Sequence, residues 1–178
     1  THLRIRVWND PYDADGHGYG GGNNDVEKAK RFADACRNAG LKLLVDFHCS
    51  DLWTDPGKQR VPKAWKDDTL EEKQEALKQF LTESLETIDP TKDVVDMVQV
   101  GNETTSGFIG ETSTESMCRL FSSGAEGVKA YNDQVKVVIH VTNPEKGNVT
   151  KWAKNLDENN VAYDILATSY YLYWHGSL

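Results

Sequence analysis

Short apolar runs alternate with longer amphipathic ones along the whole chain. Leu3-Arg-Ile-Arg-Val-Trp8 alternates large apolar and basic residues, which predicts a strand. Val26, Ala29, Phe32, Ala33 and Cys36 then recur at spacings of three and four, which predicts a helix over 25–39. Asn24 is placed to cap it, and Gly40 to stop it in a left-handed turn. Residues 41–47 are nearly all apolar, as a buried parallel strand is. A long loop with Pro56, Gly57 and Pro62 follows. Thr69 and Glu72 read as a capping box opening a helix to about residue 88. Residues 94–100 predict a third strand. Thr112 and Glu115 read as a second capping box, with a helix to about 131. Residues 135–141 predict a fourth strand, 149–159 a helix, and 163–171 a fifth strand. No linker, low-complexity segment or close repeat interrupts this order.

Strands separated by helices mean repeated βα units and a parallel sheet. Two architectures compete, an open doubly wound sheet and a stretch of a (β/α)8 barrel. Polar and aromatic residues crowd the C-terminal end of each strand: Arg6 and Trp8; Asp46 and His48; Asn102 and Glu103; His140 and Asn143; Ser169, Tyr170 and Tyr171. An open sheet places its site at one switch point, whereas a barrel gathers side chains from many strand ends on one face. Five loaded ends in a row favour the barrel.

Composition narrows the function classes. The formal charge is −8, so no excess of Lys and Arg is available to neutralise phosphates, and nucleic acid is a poor partner. No apolar run approaches the ~18–20 residues of a membrane span. The opening Thr-His-Leu-Arg lacks the apolar region of a secretory signal. Three widely spaced cysteines, Cys36, Cys49 and Cys118, make neither a disulfide framework nor a CxxC metal site, and at most one pair among them can form.

The sharpest chemical feature is Gly101-Asn102-Glu103, directly after the third strand. A carboxyl group there is aimed into the barrel mouth, where low solvation and neighbouring carboxylates suit it to general acid work. An adjacent Asn can bond a sugar hydroxyl beside the bond being cut. Taken alone, an exposed loop Glu is the simpler explanation; the other loaded strand ends reverse that judgement. Alternation puts Asp46, His48 and Ser50 on one face of the second strand, placed to bond substrate and catalytic carboxylates. The same alternation argues against zinc at His48, Cys49 and Asp51. Arg6 is placed to hold a carboxylate in its ionised form, or to form an internal ion pair. Trp8, Trp53, Trp65, Tyr170, Tyr171, Tyr173 and Trp174 lie at strand ends or in the loops beyond them, where aromatic faces stack on neutral sugar rings or simply pack.

Three other patterns carry less. Gly18-Tyr-Gly-Gly-Gly22 looks like a phosphate loop, but its register fails at Asn23 and no Lys-Ser/Thr follows, so these glycines are expected to serve tight turning. Asp13-Ala-Asp-Gly-His17 resembles half of a calcium loop, without its twelfth-position Glu or leading helix. No G-x-S-x-G elbow is present. Sequons stand at Asn102 and Asn148, and a glycan at the first would block the expected site.

Arg6-Val-Trp-Asn-Asp-Pro11, Gly18-Tyr-Gly-Gly-Gly-Asn23, Asp46-Phe-His-Cys-Ser-Asp-Leu-Trp53, Asp55-Pro-Gly-Lys58, Pro62-Lys-Ala-Trp65, Val98-Gln-Val-Gly-Asn-Glu-Thr104 and Ser169-Tyr-Tyr171 together resemble glycoside hydrolase family 53, the arabinogalactan endo-β-1,4-galactanases. The resemblance runs from residue 3 to residue 178. It implies a (β/α)8 TIM barrel of which residues 1–178 form the central part, about five βα units, without strand one or strands seven and eight. It implies retaining hydrolysis of β-1,4-galactan or arabinogalactan, with Glu103 as acid/base and Asn102 beside it. The family's strand-two arginine matches Arg6, its strand-three Asp and His match Asp46 and His48, and its strand-six tyrosine best matches Tyr171. Trp53, Trp65 and Trp174 match aromatic positions near the substrate cleft. The family's nucleophile, a Glu ending strand seven, falls beyond Leu178, so Glu103 has no evident partner among Asp46, Asp51 and Glu111. No cofactor and no metal is carried over. The resemblance further implies a monomer when complete, working outside the cell or at its surface. A non-catalytic carbohydrate-binding fragment, and another clan A polysaccharide hydrolase, remain the alternatives. Because a closed barrel takes at least ~200 residues, isolated residues 1–178 are expected to be inactive and poorly soluble, to be checked by expressing them and assaying turnover.

Overall fold

Five runs of alternating residues become five parallel strands: β1 (His2–Val7), β2 (Lys42–Phe47), β3 (Val95–Val100), β4 (Lys136–Thr142) and β5 (Ile165–Ser169). The computed structural model describes residues 1–20 and 22–177. Helices α1 (Val26–Asn38), α2 (Leu70–Ile88), α3 (Thr114–Tyr131) and α4 (Asn148–Glu158) join successive strands, and a single turn of helix, α5 (Leu172–His175), follows β5. The sheet order is β1-β2-β3-β4-β5, each strand lying beside its neighbour in sequence. A doubly wound sheet reverses its order at a switch point. This sheet does not reverse, so it is a stretch of barrel wall. Among the described residues, the outer edges of β1 and β5 pair with no further strand.

Alternation divides the side chains of each strand. Ile5, Val7, Val45, Phe47, Val98, Val100, Val137, Ile139 and Val141 are buried in one apolar cluster with Ala29, Ala33, Leu77, Leu81, Phe121, Trp152 and Leu156 of the helices. Burying a side chain of this size stabilises by roughly 1.5–3 kcal/mol. The opposite parity carries Arg4, Arg6, Asp46, Gln99 and His140, and lateral register aligns Arg6 with Asp46 and Asp46 with Gln99. One face of the wall is therefore a core, and the other gathers polar groups toward the strands' C-terminal ends.

Local chemistry sets the helix ends. The Thr69 capping box forms as expected, with the Glu72 backbone N–H donating to Thr69 Oγ1 and the Thr69 N–H to Glu72 Oε2 at 2.8 Å. The Thr69 N–H and the Thr69 hydroxyl, both donating to Glu72 Oε2, hold the Glu72 carboxyl below its ordinary pKa. Gly40 sits at φ +66°, as a left-handed stop requires. Two caps differ from expectation. Asp25, not Asn24, caps α1, because a carboxylate accepts more strongly from the Lys28 N–H (2.8 Å). Ser113, not Thr112, caps α3, accepting from Ser116, so no capping box forms there. Phe32 is also off the expected apolar stripe. It is 45% exposed, because it lies about 100° around the helix from Ala33. The fifth strand ends at Ser169, and Tyr171 precedes α5. The cysteines are all buried free thiols. No helix among the described residues is long and apolar enough to cross a membrane.

Helices α2 and α3 meet most closely at Gly127, where an added Cβ would come 2.7 Å from the Lys78 carbonyl oxygen. The obstacle is backbone, which cannot swing aside. We expect Gly127→Ala to destabilise the fold by about 1–3 kcal/mol, read as a lowered thermal or urea midpoint. An unchanged midpoint would contradict this packing.

Candidate active site

The chain leaves β3 through a turn that a side chain at residue 101 would block. Gly101 adopts φ +82°, and an added Cβ would lie 2.6 Å from Thr104 and 2.8 Å from Phe108. Its N–H donates to the Phe47 carbonyl of β2 at 2.9 Å. Asn102 and Glu103 follow, and Glu103 also sits in the left-handed region, at φ +52°. For a residue with a side chain that costs on the order of 1 kcal/mol and persists only where surroundings impose it.

The surroundings are visible. The Thr104 N–H and hydroxyl both donate to the His140 carbonyl, each at 2.9 Å. The Glu103 N–H donates to His140 Nδ1 at 3.1 Å. Glu103 Oε1 accepts from the Ser169 hydroxyl at 2.7 Å, and Ser169 Oγ lies 3.2 Å from His140 Nε2. Burial pushes the His140 pKa down to about 4, with Arg4 and His48 adding repulsion and Asp46 opposing it. His140 is thus neutral at ordinary pH.

Below Glu103 lies a fully buried carboxylate, Asp46. Gln99 Nε2 donates to its Oδ1 at 2.6 Å, Arg4 Nη2 lies 2.8 Å from Oδ2, and His48 Nε2 is 3.4 Å away. Arg4 Nη2 also donates to Gln99 and to Asn102 Oδ1, at 3.2 and 3.3 Å. Asn102 Nδ2 donates to the Thr54 carbonyl at 2.8 Å, while Thr54 donates its N–H to His48 Nδ1 at 3.0 Å. With Asn102 buried and one of its amide hydrogens bonded to Thr54, its sequon is poorly placed to accept a glycan.

Two hollows have Glu103 in their walls. One of about 320 Å³ is lined by Arg4, Arg6, Trp53, Asn102, Glu103, His140, Ser169 and Tyr171. The other, about 510 Å³, is lined by Glu103, Asn143, Glu145, Tyr171, Trp174 and His175 among others. Glu103 and Tyr171 belong to both. The structure thus brings together Arg6, Asn102, Glu103, Trp53, Tyr171 and Trp174, with Asp46 and His48 beneath them. Arg6 does not hold Asp46. Its guanidinium lies over the Trp53 ring, 4.3 Å from the centroid, and Arg4 takes the carboxylate. Trp65 stands apart, buried edge-on against Phe80 beside α2.

Arg4, Gln99, His140 and Ser169 complete the cluster, and only the last two were marked by their strand-end positions. Arg4 shares the parity of Arg6, and Gln99 is a lone amide in an apolar strand, so each carried a signal. Away from the cluster, Gly20 and Gly22 have φ of +94° and +103°, as expected for tight turning, and Gly21 lies outside the described residues. Asp13, Asp15 and His17 converge within 4.8 Å on an exposed loop, where acidic groups commonly gather without an ion.

A carboxyl group lining two aromatic-walled hollows thus stands on the C-terminal face of a parallel barrel wall, the face on which (β/α)8 enzymes carry their active sites. Residues 1–178 match the profile of glycosyl hydrolase family 53 throughout, and the chain belongs to that family. It is 47% identical to an endo-β-1,4-galactanase of Bacillus subtilis over all of its own length and 42% of that protein. It is 34% identical to an arabinogalactan endo-β-1,4-galactanase of Cellvibrio japonicus, over 97% of this chain and 47% of that one. The solved GH53 catalytic domain of Ignisphaera aggregans superposes with a TM-score of 0.92 at 36% identity, covering 98% of this chain and 49% of the other. The chain spans about half the length of the relatives it matches.

The His140 environment yields a pH expectation. Its folded pKa, about 4, lies below the ~6.5 of an unfolded histidine. The stability held in its neutral form is therefore complete above pH ~6.5 and is lost as pH falls toward about 4. NMR titration of the histidine rings should leave His140 unprotonated at pH 5. A midpoint near 6.5 would contradict the buried environment.

Proposed function

We propose that the full-length protein containing this chain is an endo-acting glycoside hydrolase that cleaves β-1,4-galactan, including arabinogalactan side chains of pectin, with retention of configuration. The observation that carries this reading is Glu103 lining two hollows at once, with Tyr171 shared between them. A polysaccharide can then lie across the carboxyl group with sugars on both sides of the scissile bond, as internal cleavage requires.

Glu103 protonates the glycosidic oxygen as that bond to the anomeric carbon breaks. A carboxylate nucleophile attacks the anomeric carbon, and Glu103 then takes a proton from the water that releases the sugar. Such a nucleophile must lie ~5–5.5 Å from the acid/base. Asp46 is fully buried beside Arg4, Asp51 accepts from the backbone of Asp10 and Lys63, and Glu111 pairs with Lys73. Their commitments support a nucleophile carried outside these 178 residues. Asn102 keeps one amide hydrogen without a partner among the described residues, available to the sugar 2-hydroxyl. Trp53, Tyr171 and Trp174 are 45%, 57% and 74% exposed, leaving ring faces for pyranose stacking. Trp65, being buried elsewhere, is given no part. A polymer does not cross a membrane, so the enzyme is proposed to act outside the cell or at its surface.

The test is Glu103→Gln in the full-length protein. Galactan hydrolysis should fall by about 10²–10⁴-fold, with binding of galactan retained. Mannan, xylan and cellulose should be poor substrates of the unaltered enzyme. Activity of the variant near that of the wild type, or preference for one of those other polymers, would overturn the assignment.

A further inference from the structure

We propose that His140 and Ser169 are positioning residues that dictate which oxygen of Glu103 carries the proton delivered to substrate. The inference rests on the reading of Glu103 as acid/base and goes beyond it to the direction of a hydrogen-bond chain.

The chain starts at a group that cannot reverse. The Glu103 backbone N–H only donates, and it points at His140 Nδ1 (3.1 Å). That nitrogen must therefore be the unprotonated one, and in the neutral ring the proton is on Nε2. Nε2–H faces Ser169 Oγ at 3.2 Å, so it donates to that oxygen. The Ser169 hydroxyl hydrogen is then left to Glu103 Oε1, at 2.7 Å. Every donor in the sequence Glu103 N–H, His140 Nε2–H, Ser169 O–H is fixed by the one before it. The last returns to the side chain of the residue that supplied the first.

Two consequences follow for the carboxyl group. Oε1 is always an acceptor, so a proton on Glu103 resides on Oε2. A proton on Oε1 would face the Ser169 hydroxyl hydrogen, which has no other acceptor while His140 keeps its Nε2–H. The Ser169 hydroxyl also keeps a donor on Oε1 while Oε2 gives up and takes back the proton in the two halves of the reaction. Burial supports the scheme, because a neutral His140 preserves the direction of the chain in mildly acidic solution. Other groups around the two hollows and beneath them are Arg4 and Arg6 of β1, Asp46 of β2 and His48 just after it, Tyr171, His175 of α5, and Glu145 and Lys146 after β4. All are unchanged when only Ser169 is altered.

The test uses the full-length protein. A neutron structure should show deuterium on His140 Nε2 and not Nδ1, with the Ser169 deuterium directed at Glu103 Oε1. Deuterium on Nδ1, or a Ser169 hydroxyl directed at His140, would overturn the proposal. In solution, Ser169→Ala should move the alkaline limb of kcat/KM upward by about one pH unit, with KM for galactan little changed. Ser169→Thr, which keeps the hydroxyl, should restore the limb. A limb that stays in place in a folded Ser169→Ala variant would refute the role. Carboxyl-carbon NMR titration of Glu103 gives the same comparison without turnover, and an unshifted Glu103 midpoint in Ser169→Ala would refute it too. Full activity in Glu103→Gln would overturn the acid/base reading, and this proposal with it. Lost activity in Glu103→Gln beside an unmoved Ser169→Ala profile would overturn this proposal alone.

Discussion

A carboxylate with no access to water obliges its neighbours to converge on it. Asp46 is that group, fully buried on the polar face of the barrel wall. An unpaired charge in such a place costs several kcal/mol, so β1 must deliver Arg4, β3 must deliver Gln99, and His48 of the same strand end must turn toward it. Each of these also reaches the segment that carries Glu103. Arg4 bonds Asn102, Gln99 bonds the Gly101 carbonyl, and His48 holds Thr54, which in turn holds Asn102. The position of the Glu103 carboxyl group is thus a consequence of satisfying a charge one layer below it.

Backbone strain recurs above that layer. Cys49 after β2, Glu103 after β3 and Asn143 after β4 all adopt positive φ, although each bears a side chain. Three adjacent strands therefore turn sharply just beyond their C-terminal ends, and the segments that follow line the hollows through Trp53, Glu103, Asn143 and Glu145. The hydrogen bonds of His140 to residues 103 and 104 are what hold one of those turns in place. Strain that persists at a site because packing imposes it fits a geometry kept for chemistry rather than for stability.

Much of this was legible in the residues themselves. Strand parity set which side chains face the core, Gly40 and the Thr69 box set two helix ends, and the loaded strand ends distinguished a barrel from an open sheet. What was not legible depends on geometry between strands. Arg4 and Arg6 share a face, and only the stagger of β1 against β2 and β3 decides which guanidinium reaches Asp46. Residues 112–114 offer three successive hydroxyls as caps, and a spacing rule cannot rank them. The break after Ser169 was hidden because Tyr170 and Tyr171 suit a strand as well as a turn. Trp65 shows the reverse error of reading, since an aromatic in a loop between two site elements folded back onto α2.

The Ser169 hydroxyl sits on a strand at one edge of the described sheet. Every residue of β5 is only half-buried, and its outer edge pairs with nothing among the described residues. Local opening free energies are smallest where burial and pairing are fewest. Ser169 therefore reaches Glu103 from a strand held through β4 alone among the described residues, so a displacement of β5 from β4 would separate the hydroxyl from the carboxyl group without any change at β3.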